Sequence, residues 1–163
     1  MSNQSNARLY LFTLEVAPLE VSKTYNPLPS HLTLMPRFWS ELTPEEIVKL
    51  VTPLFQKTQP VELTFGETAL FGPQKKLAVH LVENTPALKE LHTQLMNVLD
   101  TAGVTYTTPQ WLGENHRSHV TKREGTEFEN GHQQIANAAY LIEVEIQGTT
   151  HLRFVRAKFD LTA

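Results

Sequence analysis

Cysteine is absent from all 163 residues, which excludes disulfides, thiolate metal ligands and a cysteine nucleophile, and leaves the redox compartment open. Also missing is any apolar run near the roughly 20 residues that cross a bilayer. The chain therefore reads as soluble, with no membrane partner and the cytoplasm as its default location. Positive charge is in short supply too. Fourteen Lys and Arg stand against seventeen Asp and Glu, for a net charge of −3. No global basic field supports tight binding to long nucleic acid, and an anionic ligand must meet local charge. The opening Met1 to Asn6 lacks the basic start and apolar stretch of a signal peptide and reads as a frayed terminus.

With 40% apolar and 19% charged residues, the composition is that of a folding chain, and the length suits one domain over residues 1–163 with a sizeable core. Tyr10, Phe12, Leu14 and Val16 alternate with Leu9, Leu11, Thr13 and Glu15, apolar on nearly both sides, which predicts a central strand. Past Pro18, Pro27 and Pro29, a second alternation runs from Ser30 to Met35. Thr43-Pro44-Glu45-Glu46 is a helix start, with an N-cap threonine, proline at the first helical position and glutamate three residues after the cap. Pro53 is expected to kink this helix or end its first part. Val61, Leu63 and Phe65 predict a strand ending near Gly66, and Leu77, Val79 and Leu81 another.

Thr85-Pro86 repeats the start signal ahead of Leu88, Leu91, Leu95, Val98 and Leu99, with Gly103 placed for a left-handed cap. Thr105 to Asn115 reads as loop or edge, Arg117 to Arg123 alternates around Val120, and Gly125 to Gly131 reads as a mobile surface loop. Tyr140 to Gln147 and His151 to Leu161 form a closing hairpin. The order suggests an α+β fold of two similar lobes with antiparallel sheets around a central cleft and helices outside. Its halves are taken as about residues 8–70 and 75–163.

Residues i and i+2 on a strand share a face, so His31 with Thr33, and His119 with Thr121, each present an imidazole beside a hydroxyl, while Leu32, Leu34 and Val120 point to a core. Paired imidazoles suit phosphodiester cleavage, one removing a proton from the attacking oxygen and the other protonating the leaving oxygen, since free histidine titrates near pH 6.5. Threonine hydroxyls can donate to non-bridging phosphate oxygens without a metal. As strings the triplets carry little, because with seven histidines they arise by chance; strand parity supplies the selectivity. His116-Arg117-Ser118 is a third match. His119 is preferred because Val120 gives the apolar residue of a half-buried strand and Arg117 does not.

Arg37 shares parity with His31, and Arg117 and Arg123 with His119; their guanidinium forks suit further phosphates. Phe38, Trp39 and Trp111 lie close to the motifs in sequence as candidate base platforms, against an ordinary core or rim role. Phe154, Arg156 and Lys158 are taken as one face of the last strand, able to line the same cleft. His80 and His92 read as structural, and His132 and His151 as exposed beside turns. His116 with His119 lacks an acidic third ligand at metal spacing.

Two His-x-Thr strands, one per half and about ninety residues apart, resemble the 2H phosphoesterase superfamily, which includes the 2′,5′-RNA-ligase-like proteins and cyclic phosphodiesterases. The first copy, Pro29-Ser-His31-Leu-Thr33-Leu34, carries the likeness best; in the second, Lys122 stands where an apolar residue is usual. The resemblance implies His31 and His119 as the acid-base pair, Thr33 and Thr121 as phosphate ligands, no metal or other cofactor, and a small RNA-derived or cyclic nucleotide as substrate. Three other readings stay open: degradation of 2′,5′-linked or cyclic oligonucleotide immune signals, a non-catalytic nucleotide- or RNA-binding module, and a generic α+β interaction domain.

Overall fold

Both faces of the first strand are buried because it lies inside the sheet. In the computed structural model, which describes residues 6–123 and 126–163, β1 (Arg8–Glu15) pairs antiparallel with β3 (His31–Ser40) on one side and β9 (Ala138–Gln147) on the other. The remaining elements are β2 (Thr24–Tyr25), α1 (Pro44–Gln56), β4 (Val61–Phe71), β5 (Leu77–Val82), α2 (Pro86–Thr101), β6 (Thr105–Tyr106), β7 (His119–Thr121), β8 (Gln133–Ala136) and β10 (Thr150–Asp160). Two single 3-10 turns, Pro109–Trp111 and Gly113–Asn115, precede β7. The sheet runs β2-β10-β9-β1-β3-β7-β5-β4-β8, with β6 beside β3, and all its pairs are antiparallel. This is an α+β fold.

Each helix starts where the Thr-Pro signals place it. Thr43 Oγ1 accepts from the Glu46 amide while the Glu46 carboxylate accepts from the Thr43 amide, and Thr85 caps α2 through the Leu88 amide. Pro53 neither ends nor splits α1, which continues to Gln56. Ile47, Val51 and Phe55, four apart and buried, hold the last turns on the sheet, and the exposed Pro53 gives up only its own hydrogen bond. Beyond α2, Gly103 adopts φ +71 as expected.

Both helices cover one face, where Tyr10, Phe12, Leu14, Leu32, Leu34 and Val120 meet Val51, Phe55, Leu91 and Leu95 in the main core. On the other face Leu9, Leu11, Tyr140, Ile142 and Val144 pack under Leu19 and Leu28 from the β1–β3 connection. Among the described residues no helix is long and apolar enough to cross a membrane.

Three features differ from the sequence reading. β4 passes through Gly66 with a register shift and runs to Phe71, because pairing with β5 sustains it beyond the glycine. The short β8, which pairs with β4, was not anticipated; four residues with one exposed Ile135 carry little alternation. The strands also group differently from the sequence halves: β9 and β10, late in the chain, lie beside β1, while β4, β5, β7 and β8 form the other side. The expected frayed terminus at residues 1–5, and the start of the loop expected from Gly125, lie outside the described residues.

Candidate active site

The two sides of the sheet meet where Leu32 stands opposite Val120. Both are fully buried on the helix side, so the alternating His31, Thr33, His119 and Thr121 turn to the other face, where all four are half-buried. In an antiparallel pair this register sets His31 across from Thr121 and Thr33 across from His119. Each imidazole faces a hydroxyl, and the two histidines lie on a diagonal, about 7–8 Å apart with their Cβ atoms somewhat closer, a span that a phosphate held between two imidazoles can fill.

The two rings are held alike. His31 Nδ1 lies 2.8 Å from the carbonyl of Pro29, and His119 Nδ1 lies 2.8 Å from the carbonyl of Arg117. A carbonyl only accepts, so each Nδ1 carries the proton and donates it, and in the neutral ring each Nε2 keeps its lone pair. The contact recurs at i−2 in both motifs and fixes one tautomer twice. Burial pushes the His31 imidazole down to about 4; the Pro29 carbonyl opposes this, and the charges of Arg123, His119 and Arg153 add to it. His119 is lowered as well, by burial first, against the carbonyl of Arg117 and with that residue's charge. Glu15, opposite His31 on β1, accepts a hydrogen bond from the Tyr140 hydroxyl at 2.7 Å.

Of the other residues singled out in the sequence, Arg37, Arg117 and Arg123 lie around this face. Arg37 Nη1 donates to His151 Nδ1 at 3.0 Å, Arg123 Nε donates to the Leu28 carbonyl at 3.1 Å, and Arg117 stacks 4.7 Å from the centre of the Phe71 ring. Trp39, opposite Leu9, is 40% exposed, and Trp111 is 55% exposed on a 3-10 turn. Phe38 is no base platform: it is fully buried, its ring 6.0 Å from Phe12 and 5.8 Å from Tyr10 in the main core.

Nor do Phe154, Arg156 and Lys158 all share a face: Arg156 stacks 4.8 Å from the centre of the Phe154 ring, while Lys158, opposite Tyr140, lies on the other side. Val155 and Ala157 oppose the consecutive residues Ile142 and Leu141, so Arg156 bulges out. It turns to Glu143, which also pairs with Arg8, and Lys158 pairs with Asp160. His116 is buried with its ring stacked 4.1 Å from that of His92. Lys122 pairs with Glu127.

Three contributors escaped the sequence reading. Arg153 and His151, on β10 ahead of the bulge, join Arg37, and Arg153 Nη1 donates to Asn26 Oδ1 at 3.1 Å and to the His151 carbonyl at 2.7 Å. Parity counted back from Lys158 without the bulge hides them. Phe71 packs edge-on to His119 at 4.8 Å; in sequence it reads only as the start of a Gly-Pro turn.

A model of the 2'-5' RNA ligase superfamily matches residues 13–156, a span that contains both motif strands. The chain belongs to that superfamily. Solved structures that resemble this 2'-5' RNA ligase superfamily chain include TT0787 of Thermus thermophilus, 17% identical, covering 94% of this chain and 97% of that one, with a TM-score of 0.61. A phosphoesterase is 12% identical over 96% and 99% at a TM-score of 0.63, and E. coli LigT complexed with 3'-AMP is 14% identical over 96% and 99% at 0.59. At these identities the likeness is one of fold. No curated protein sequence matches the chain. Membership of the superfamily supports a phosphoesterase or RNA-ligase-like activity.

Proposed function

We propose that the protein is a metal-independent phosphodiesterase that hydrolyses, or reversibly ligates, 2′,3′-cyclic phosphate or 2′,5′-phosphodiester bonds in small RNA-derived or cyclic nucleotides. The observation that carries this reading is the pairing of Leu32 with Val120, together with the twin carbonyl contacts that leave Nε2 of His31 and of His119 available on one face. That E. coli LigT has been solved with 3'-AMP supports a nucleotide phosphate as the ligand class.

In hydrolysis, Nε2 of His31 takes a proton from water as the water oxygen bonds to phosphorus. The bond from phosphorus to the ribose oxygen breaks, and that oxygen takes the Nε2 proton of His119, which enters the step as the imidazolium and leaves it neutral. Thr33 and Thr121 donate hydrogen bonds to the non-bridging oxygens, where charge builds up. His31 is given the base role because burial first, and then the charges of Arg123, His119 and Arg153, disfavour its imidazolium. In ligation a ribose hydroxyl replaces the water.

The test is turnover of a nucleoside 2′,3′-cyclic phosphate and of a 2′,5′-linked dinucleotide, with a chelator present. Alanine at His31 or at His119 is expected to slow the chemical step about 10²- to 10⁴-fold. An ester with a p-nitrophenolate leaving group needs no acid, so it should restore the His119 variant and not the His31 variant. Native-like turnover in both alanine variants refutes the reading.

A further inference from the structure

Five cations are matched by carboxylates: Arg8 and Arg156 share Glu143, Lys23 pairs with Glu20, Lys122 with Glu127 and Lys158 with Asp160. Arg37, Arg123 and Arg153 differ. Among the described residues no carboxylate lies within ion-pair distance of any of them, and what they hold is neutral: the His151 ring, the Leu28 carbonyl, the Asn26 side chain and the His151 carbonyl. Neutral acceptors orient a guanidinium without cancelling its charge. They also leave most of its five N–H groups for something else.

The three come from different parts of the chain, β3, the segment after β7, and β10: Arg37 and Arg153 meet at His151, while Arg123, Arg153 and His31 are all held by the connection Asn26 to Pro29. Arg37 and Arg123 both lie close enough to Arg153 to oppose its charge, and Arg123 and Arg153 both act on His31. All three are partly desolvated. Like charges gathered out of water without a counter-charge are unfavourable until an anion joins them, and guanidinium forks match phosphate oxygens. A phosphate shared by the two His-x-Thr pairs has its ligands already.

We propose that Arg37, Arg123 and Arg153 form a second anion subsite beside His31, which binds a phosphate of the substrate other than the one that reacts. This rests on the phosphodiester reading above and sharpens the substrate class: the preferred ligand carries at least two phosphates. Asn26, Leu28 and Pro29 tie the two regions together, since consecutive parts of this one connection hold Arg153, Arg123 and His31.

The test is calorimetric titration of the full chain with adenosine 3′-monophosphate, adenosine 3′,5′-bisphosphate and a diadenylate ending in a 3′-phosphate. At low salt a two-phosphate ligand is expected to bind about 10- to 100-fold more tightly than the monophosphate. The bisphosphate showing the gain identifies a terminal phosphate as the second group; the diadenylate alone showing it identifies an internal diester. In Arg37→Met and Arg153→Met the gain should fall to within about threefold, and Arg37→Lys and Arg153→Lys, which keep the charge and lose the fork, should retain part of it. Equal affinity for all three ligands in the native protein overturns the proposal, as does a gain that survives the methionine substitutions. Binding needs no turnover, so failure of the hydrolysis assay and failure of the subsite are separate results.

Discussion

Lowering the pH from 7.5 to 4.5 is expected to cost the fold about 2–3 kcal/mol through His116 alone. The ring is 7% exposed and stacked on His92 at 4.1 Å with the planes 5° apart. Burial first, then the charges of His92 and His119, push its pKa down to about 4 from an ordinary 6.5. The folded protein therefore favours the neutral ring. Its contribution is complete above pH 6.5, declines as the unfolded chain takes up a proton that the folded chain refuses, and levels off below pH 4 after a total loss of about 3 kcal/mol.

Other histidines and the carboxylates also titrate over this range, so the measurement is a comparison of native protein with His116→Phe, which keeps a flat ring against His92 and removes the titrating group. Nε2 of His116 has no hydrogen-bond partner among the described residues, and whatever phenylalanine loses against the nearby backbone of Trp111 and Thr33 is lost at both pH values and cancels in the comparison. Thermal unfolding at both pH values should show the native protein losing about 5–10 °C more than the variant. Parallel declines in the two proteins would refute the claim that His116 is kept neutral by its surroundings.

Two further outcomes bear on the site. Inorganic phosphate bound between the motifs favours the imidazolium, so the titration midpoint of His31, followed by proton NMR, should rise from about 4 by about one pH unit or more; a midpoint indifferent to phosphate contradicts an anion at His31. Phe71→Leu removes the ring that meets both His119 and Arg117, and kcat/KM for a cyclic phosphate should fall about 2- to 10-fold with little change in melting temperature. Full activity would assign Phe71 to packing alone.

What the sequence made legible was local. The helix starts rest on side chains three residues apart, and the burial of Val120 distinguishes the strand of His119 from the turn of His116 without reference to any distant residue. Phe38 shows the limit of nearness as a criterion, since it follows His31 closely along the chain, yet alternation sets it on the side of Leu32 and Leu34, where it is buried in the main core. Arg153 shows another, because one bulge at Arg156 inverts the parity that places it. The strand order was beyond reach for a different reason: β9 pairs with β1 through contacts more than a hundred residues apart, and no periodicity encodes a partner at that range.

The pairing of Leu32 with Val120 has a consequence for how reliably the chain can assemble. Were β7 to slip by one residue against β3, Val120 would turn to solvent while His119 and Thr121 entered an apolar core, because strand side chains alternate with a period of two. The same slip would damage the packing and dismantle the paired motifs together. Against a slip of one residue the core therefore acts as a proofreader of the site, because the error that would misface the histidines also exposes Val120.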